Sequence, residues 1–203
     1  MTFGRLIPSC GQRLLAVGRT GSGKSYLARR ILGVVPARRL ILDPKAEVSW
    51  PDAQTIQSAD QLKRASSPTV ILRCVAGDLD EWDRALWWAW HQGDLVVYID
   101  ELGLITDGPS PSPGLRACVT TGRSRGVTMV MLTQRPSGVP VIVRSEADKY
   151  AMFRLQHPRD REYMAAVMGP EVLSYNPEGH TFWFMDIHSM DVPRLMVVRS
   201  RDA

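Results

Sequence analysis

One octapeptide near the start of this 203-residue chain, Gly18-Arg19-Thr20-Gly21-Ser22-Gly23-Lys24-Ser25, constrains the fold more than any other stretch. Apolar residues 14–17 precede it, and a helical pattern begins at about Lys24, so the glycines fall at a strand-to-helix turn. Glycine tolerates positive φ, which lets successive N–H groups converge on one anion. The helix that follows turns its positive end toward the same point. The spacing is that of a P-loop, a cradle for nucleotide phosphates. Gly18, Arg19, Thr20, Gly21, Ser22, Gly23, Lys24 and Ser25 are therefore the expected ATP-binding residues. Lys24 would reach the β- and γ-phosphates, and the Ser25 hydroxyl would join the shell of a Mg²⁺ ion.

A second motif is needed to complete such a site, and residues 93–103, GDLVVYIDELG, supply it. The run 95–99 reads as a fully buried parallel strand with Asp100 and Glu101 at its C-terminal end. Carboxylates there are costly unless a cation or a proton-transfer role compensates. Asp100 is expected to hold Mg²⁺, and Glu101 to act as general base on the attacking water. An adjacent acidic pair favours hydrolysis over phosphate transfer to a small acceptor.

Residues 39–42 and 68–74 read as further strands, 79–93 as a helix with Trp82, Leu86 and Trp90 on one face, and 115–121 as another helix. Residues 103–114, rich in Pro, Ser and Gly, read as an irregular loop on the nucleotide edge of the sheet. Strands are expected at 127–133 and 149–155, a helix from Pro158 to near Gly169, and a closing pair of strands at 180–187 and 193–198. Strands alternating with helices around a P-loop imply an α/β fold, a mostly parallel central sheet with helices on both faces. At this length one domain, residues 1–203, is expected.

Composition narrows the partners. A net charge of +4 tilts the chain mildly toward polyanions. Cys10, Cys74 and Cys118 are far apart and lack ligand spacing, which fits a reduced, intracellular protein. His91, His157, His180 and His188 show no ligand spacing either, so no metal other than Mg²⁺ is indicated. Neither a signal peptide nor a membrane span is legible.

Four motifs in order, GRTGSGKS, LDPK, LVVYIDE and GRSRGVTMVMLTQRP, resemble the FtsK–HerA superfamily of DNA-pumping P-loop ATPases over roughly residues 12–165. Without a membrane segment or an added domain, the chain is most similar to the genome-packaging ATPases of tailless, internal-membrane viruses. The resemblance implies a RecA-like fold, a homo-oligomeric, hexameric ring, and ATP-driven movement of double-stranded DNA independent of its sequence. It also implies partners at a capsid vertex or in a viral membrane, and a place in the host cytoplasm and at that vertex. Gln134 matches a polar γ-phosphate sensor at the end of the strand that runs from residue 127. Arg123 and Arg125 are candidates, with Arg144 and Arg154, for the arginine that reaches a neighbouring subunit's ATP. Two other readings stay open at this point: a DNA pump for conjugation or plasmid mobilisation, and a small-molecule or nucleotide kinase.

Overall fold

The computed structural model describes residues 3–75 and 77–198; the outermost residues of the expected 1–203 unit lie outside that set. Among the described residues nine strands form one sheet: β1 (Arg13–Val17), β2 (Arg38–Leu42), β3 (Gln54–Ile56), β4 (Thr69–Leu72), β5 (Leu95–Ile99), β6 (Val127–Thr133), β7 (Lys149–Met152), β8 (Thr181–Asp186) and β9 (Arg194–Val197). Their spatial order is β3-β4-β2-β5-β6-β1-β7-β8-β9. β1 to β7 pair in parallel, and β8 and β9 close the sheet antiparallel.

The side-chain alternation of the strands divides the core into two layers. Leu15, Val17, Val97, Ile99, Met129 and Met131 face α2 (Leu79–Gln92), α3 (Pro113–Thr121) and α5 (Pro158–Met168). Leu14, Ala16, Val96, Tyr98, Val130 and Leu132 face α1 (Lys24–Val34), joined by Phe182 and Phe184 of β8. Helices thus cover both faces, and β1, β5 and β6 are buried along their whole length. No helix among the described residues is long and apolar enough to cross a membrane.

Several local expectations shift. In α2 the buried face is Trp82, Ala85, Leu86 and Ala89. Trp90 is only half-buried because its indole N–H donates to Thr121 Oγ1 at 2.9 Å, a bond that keeps the ring at the rim. β7 stops at Met152 rather than at Leu155, since the Leu155 N–H and C=O turn to the side chain of Asn176. The loop at 103–114 holds a 3-10 turn, Leu102–Leu104, and already enters α3 at Pro113, where Ser112 caps the helix. The three-residue β3 and the five-residue α4 (Val141–Ser145) are too short to leave a periodic signal.

At the edge where β1, β6 and β7 begin, Asp148 is buried and accepts hydrogen bonds from the Arg13 N–H at 2.8 Å and Arg13 Nε at 2.9 Å. Arg123 pairs with the same carboxylate, and His188 Nε2 lies 2.7 Å from its Oδ1. Burial works against the charge, but the bonds from Arg13 and His188 outweigh it and hold the carboxyl down at about 2. A depressed pKa adds stability above the unfolded value near 4, which is lost as pH falls toward 2. Asp148→Asn should cost about 3 kcal/mol at neutral pH by leaving Arg13 underpaired, and should flatten the loss of stability between pH 4 and 2. Urea unfolding of both proteins across that range checks this; equal midpoints at pH 7 would remove the network from the stabilising interactions.

Candidate nucleotide-binding site

The phosphate loop is fastened to the strands on either side of its own. The Gly18 N–H donates to Thr133 O at the end of β6 (3.1 Å), and the Arg19 N–H to Arg154 O just after β7 (2.9 Å). This close approach demands glycine at position 18, where a Cβ would lie 2.6 Å from Phe153 Cβ. Gly23 ends the loop with φ of 102° and hands the chain to α1. The Ser22 hydroxyl is buried without a hydrogen-bond partner, and Lys24 Nζ donates to the loop's own carbonyls, Gly18 O at 2.6 Å and Arg19 O at 3.0 Å. Such unspent and self-satisfied donors suit a site that takes an anion. Burial pushes the Lys24 ammonium down to about 8; Glu101 opposes the shift and Lys45 adds to it.

Asp100 and Glu101, at the end of β5, are both buried. Asp100 Oδ1 accepts the Tyr98 hydroxyl at 2.5 Å and lies 3.5 Å from Ser25 Oγ. Burial and the Asp100 charge push the Tyr98 hydroxyl far up, so it stays a donor. Glu101 Oε1 accepts the Gln134 N–H at 3.1 Å, and Oε2 accepts Lys45 Nζ at 3.3 Å. Ser25 and Asp100 present hard oxygens side by side, which fits Mg²⁺ completed by phosphate and water oxygens. No cluster of three His, Cys, Asp or Glu gathers as a metal site among the described residues.

Strand order explains how the motifs meet. β6 lies between β1, which carries the phosphate loop, and β5, which carries the carboxylates. The end of β6 therefore delivers Gln134 beside Glu101. Lys45 follows β2 on the other side of β5, and with Glu101, Leu104, Thr106, Gln134 and Arg135 it lines a cavity of about 520 Å³. Residues of the 103–114 loop thus sit at the site's margin.

The arginine candidates separate. Arg123 and Arg125 precede β6, at the sheet edge opposite the phosphate loop, roughly 20 Å away along a seven-residue strand. Arg123 is tied to Asp148, and Arg125 bonds the carbonyls of Trp90 and His91 with its guanidinium 4.8 Å from the Trp90 ring centroid. Arg144 is buried over Tyr163. Only Arg154, of the four, stands beside the loop, paired with Glu178 at 3.3 Å. Three residues of the site received no role from the sequence: Lys45, Tyr98 and His180. His180 Nδ1 lies 3.2 Å from where a Gly23 Cβ would be. Lys45 was legible only as part of a motif, Tyr98 looked like core, and nothing in the sequence links His180 to the loop.

No family model matches the chain. The DNA packaging ATPase P9 of Enterobacteria phage PRD1 is 30% identical over 161 residues, 77% of this chain and 70% of P9. Among solved structures, the genome packaging NTPase B204 of Sulfolobus turreted icosahedral virus 2, in complex with sulfate, superposes with a TM-score of 0.80 at 19% identity, covering 96% of this chain and 100% of B204. The N-terminal domain of zonular occludens toxin from Neisseria meningitidis follows at a TM-score of 0.53 and 16% identity, covering 94% of this chain and 95% of that domain. Both structural likenesses speak to the P-loop NTPase fold alone. By its similarity to P9, together with the motifs that meet at the carboxyl edge of its sheet, the chain belongs to the viral genome-packaging ATPases.

Proposed function

We propose that residues 1–203 act as one ATPase domain that spends ATP to move double-stranded DNA into a preformed viral capsid. The observation that carries this reading is the convergence of Lys24, Ser25, Asp100, Glu101 and Gln134 at the ends of β1, β5 and β6. In the proposal the backbone N–H groups of residues 18–25 and the Lys24 ammonium hold the triphosphate. Ser25 and Asp100 hold Mg²⁺, which when bound would neutralise charge on the β- and γ-phosphate oxygens. Glu101, oriented by the Gln134 N–H, takes a proton from the attacking water. The Gln134 side chain, which can both donate and accept, reports the presence of the γ-phosphate. Conjugative pumping shares this site, and P9's name favours packaging over it.

Assembly belongs to the same proposal. A head-to-tail homo-oligomeric ring, taken here as a hexamer, would bring Arg123 and Arg125 of one subunit to the ATP of the next, across the sheet edge opposite their own phosphate loop. DNA is held through its phosphates by Lys and Arg side chains, without reading bases, since a packaging motor has to accept any sequence. The place of action is the host cytoplasm and the packaging vertex, with capsid-vertex or viral-membrane proteins as partners.

The reading is tested by ATP turnover with and without linear double-stranded DNA. DNA should raise the rate; Lys24→Ala should lose nucleotide binding, and Glu101→Gln should keep binding but turn over at least about a hundredfold slower. Turnover by Glu101→Gln at the parental rate would remove Glu101 as the base. The Lys24 ammonium gives a second expectation. With its pKa lowered to about 8 in the free protein, it is charged below that pH and neutral above it. ATP affinity should therefore weaken as pH rises past 8, by up to about tenfold per unit, and Lys24→Arg should abolish the dependence. Titration with a fluorescent ATP analogue at pH 7 and 9.5 measures this; one Kd at both would contradict it.

A further inference from the structure

Lys45 has no part in the P-loop or in the acidic pair, yet its ammonium faces both carboxylates. Its Nζ lies 3.3 Å from Glu101 Oε2 and 3.9 Å from Asp100 Oδ2, with a quarter of its side chain exposed to the cavity beside Gln134. Its charge is also felt by Lys24. Two ammonium groups thus balance two carboxylates in one partly dry cluster. While Lys45 bonds Oε2 and the Gln134 N–H bonds Oε1, both oxygens of Glu101 are engaged, which leaves neither oriented toward an attacking water.

A triphosphate entering over Lys24 brings negative charge to the margin where Lys45 stands. We propose that Lys45 is a second phosphate-contacting lysine, which holds Glu101 in the nucleotide-free protein and transfers its hydrogen bond to the γ-phosphate when one arrives. The base is then released only in the presence of the group to be cleaved. A long, flexible ammonium side chain suits this exchange, because it can turn between two acceptors without moving the backbone. The exchange rests on the nucleotide-site reading above; it involves no bond making beyond hydrogen bonds.

The test is the ratio of affinities for ADP and for a non-hydrolysable ATP analogue, measured by calorimetry on the full chain in EDTA and again with magnesium. Lys45→Met should weaken the triphosphate analogue by about tenfold or more and leave ADP within about twofold, since ADP lacks the contacted group. Lys45→Arg should restore most of the discrimination, and turnover by Lys45→Met should fall. A Lys45→Met protein that discriminates ADP from the analogue as the parent does would overturn the proposal. Faster turnover with unchanged discrimination would overturn it too, by making Lys45 a brake with no phosphate contact. Should Lys45→Met fail to melt cooperatively, Lys45→Gln provides the same ratio. A parent protein that binds neither nucleotide sinks the nucleotide-site reading itself, whereas a parent that binds both with an indifferent Lys45 variant sinks only this one.

Discussion

Two ammonium groups and two carboxylates gathered largely out of water at one sheet edge are the constraint on which the rest of this molecule turns. Asp100, Glu101 and Lys24 are each less than a tenth exposed, and Lys45 completes the set. Burying one ion costs several kcal/mol unless geometry and hydrogen bonds compensate, so the groups must be held to within a fraction of an ångström. Three strand ends place them: Lys24 after β1, Lys45 after β2, and both carboxylates after β5. A parallel sheet buried on both faces fixes those ends relative to one another. The phosphate loop's bonds to Thr133 and Arg154 then fasten the cation side of the cluster to strands on both flanks.

The same strands carry charge at their starts. Arg13 opens β1, Lys149 opens β7, and Asp148 joins Arg13, Arg123 and His188 into one network. Lys149 is itself paired with Asp186 of β8 at 2.6 Å. Each central strand is therefore an apolar bar with polar ends. One end holds the fold in register and the other gathers the candidate nucleotide site, separated by a length of sheet.

Much of this was legible in the residues. The P-loop and the acidic pair announced themselves because both chemistries need particular residue types at fixed spacing, and 95–99 and 127–133 have the bounds expected for uninterrupted apolar runs. What stayed hidden has a physical cause in each case. Short elements such as β3 and α4 owe their form to neighbours rather than to periodicity. Trp90 has the helical spacing of a core residue, but a hydrogen bond to Thr121 decides its place. Arg123 and Arg125 sit close in sequence to the strand that leads to Gln134, yet that strand carries them away from their own phosphate loop. Tyr98 shares a strand face with Asp100 two residues on, but within an apolar run it reads as core; His180 reaches the phosphate loop through chain return, which a linear pattern does not encode.

The shortness of the outermost strands has a consequence for how copies of the chain meet. β3 spans three residues and β9 four, so each rim of the nine-stranded sheet offers only a brief row of unpaired backbone groups. Long, flat rims invite open-ended stacking of one molecule's sheet onto the next; stunted ones discourage it. A chain that works in several copies at one place, as proposed above, would thereby be protected from polymerising through its backbone, and any closed assembly is left to side chains to specify.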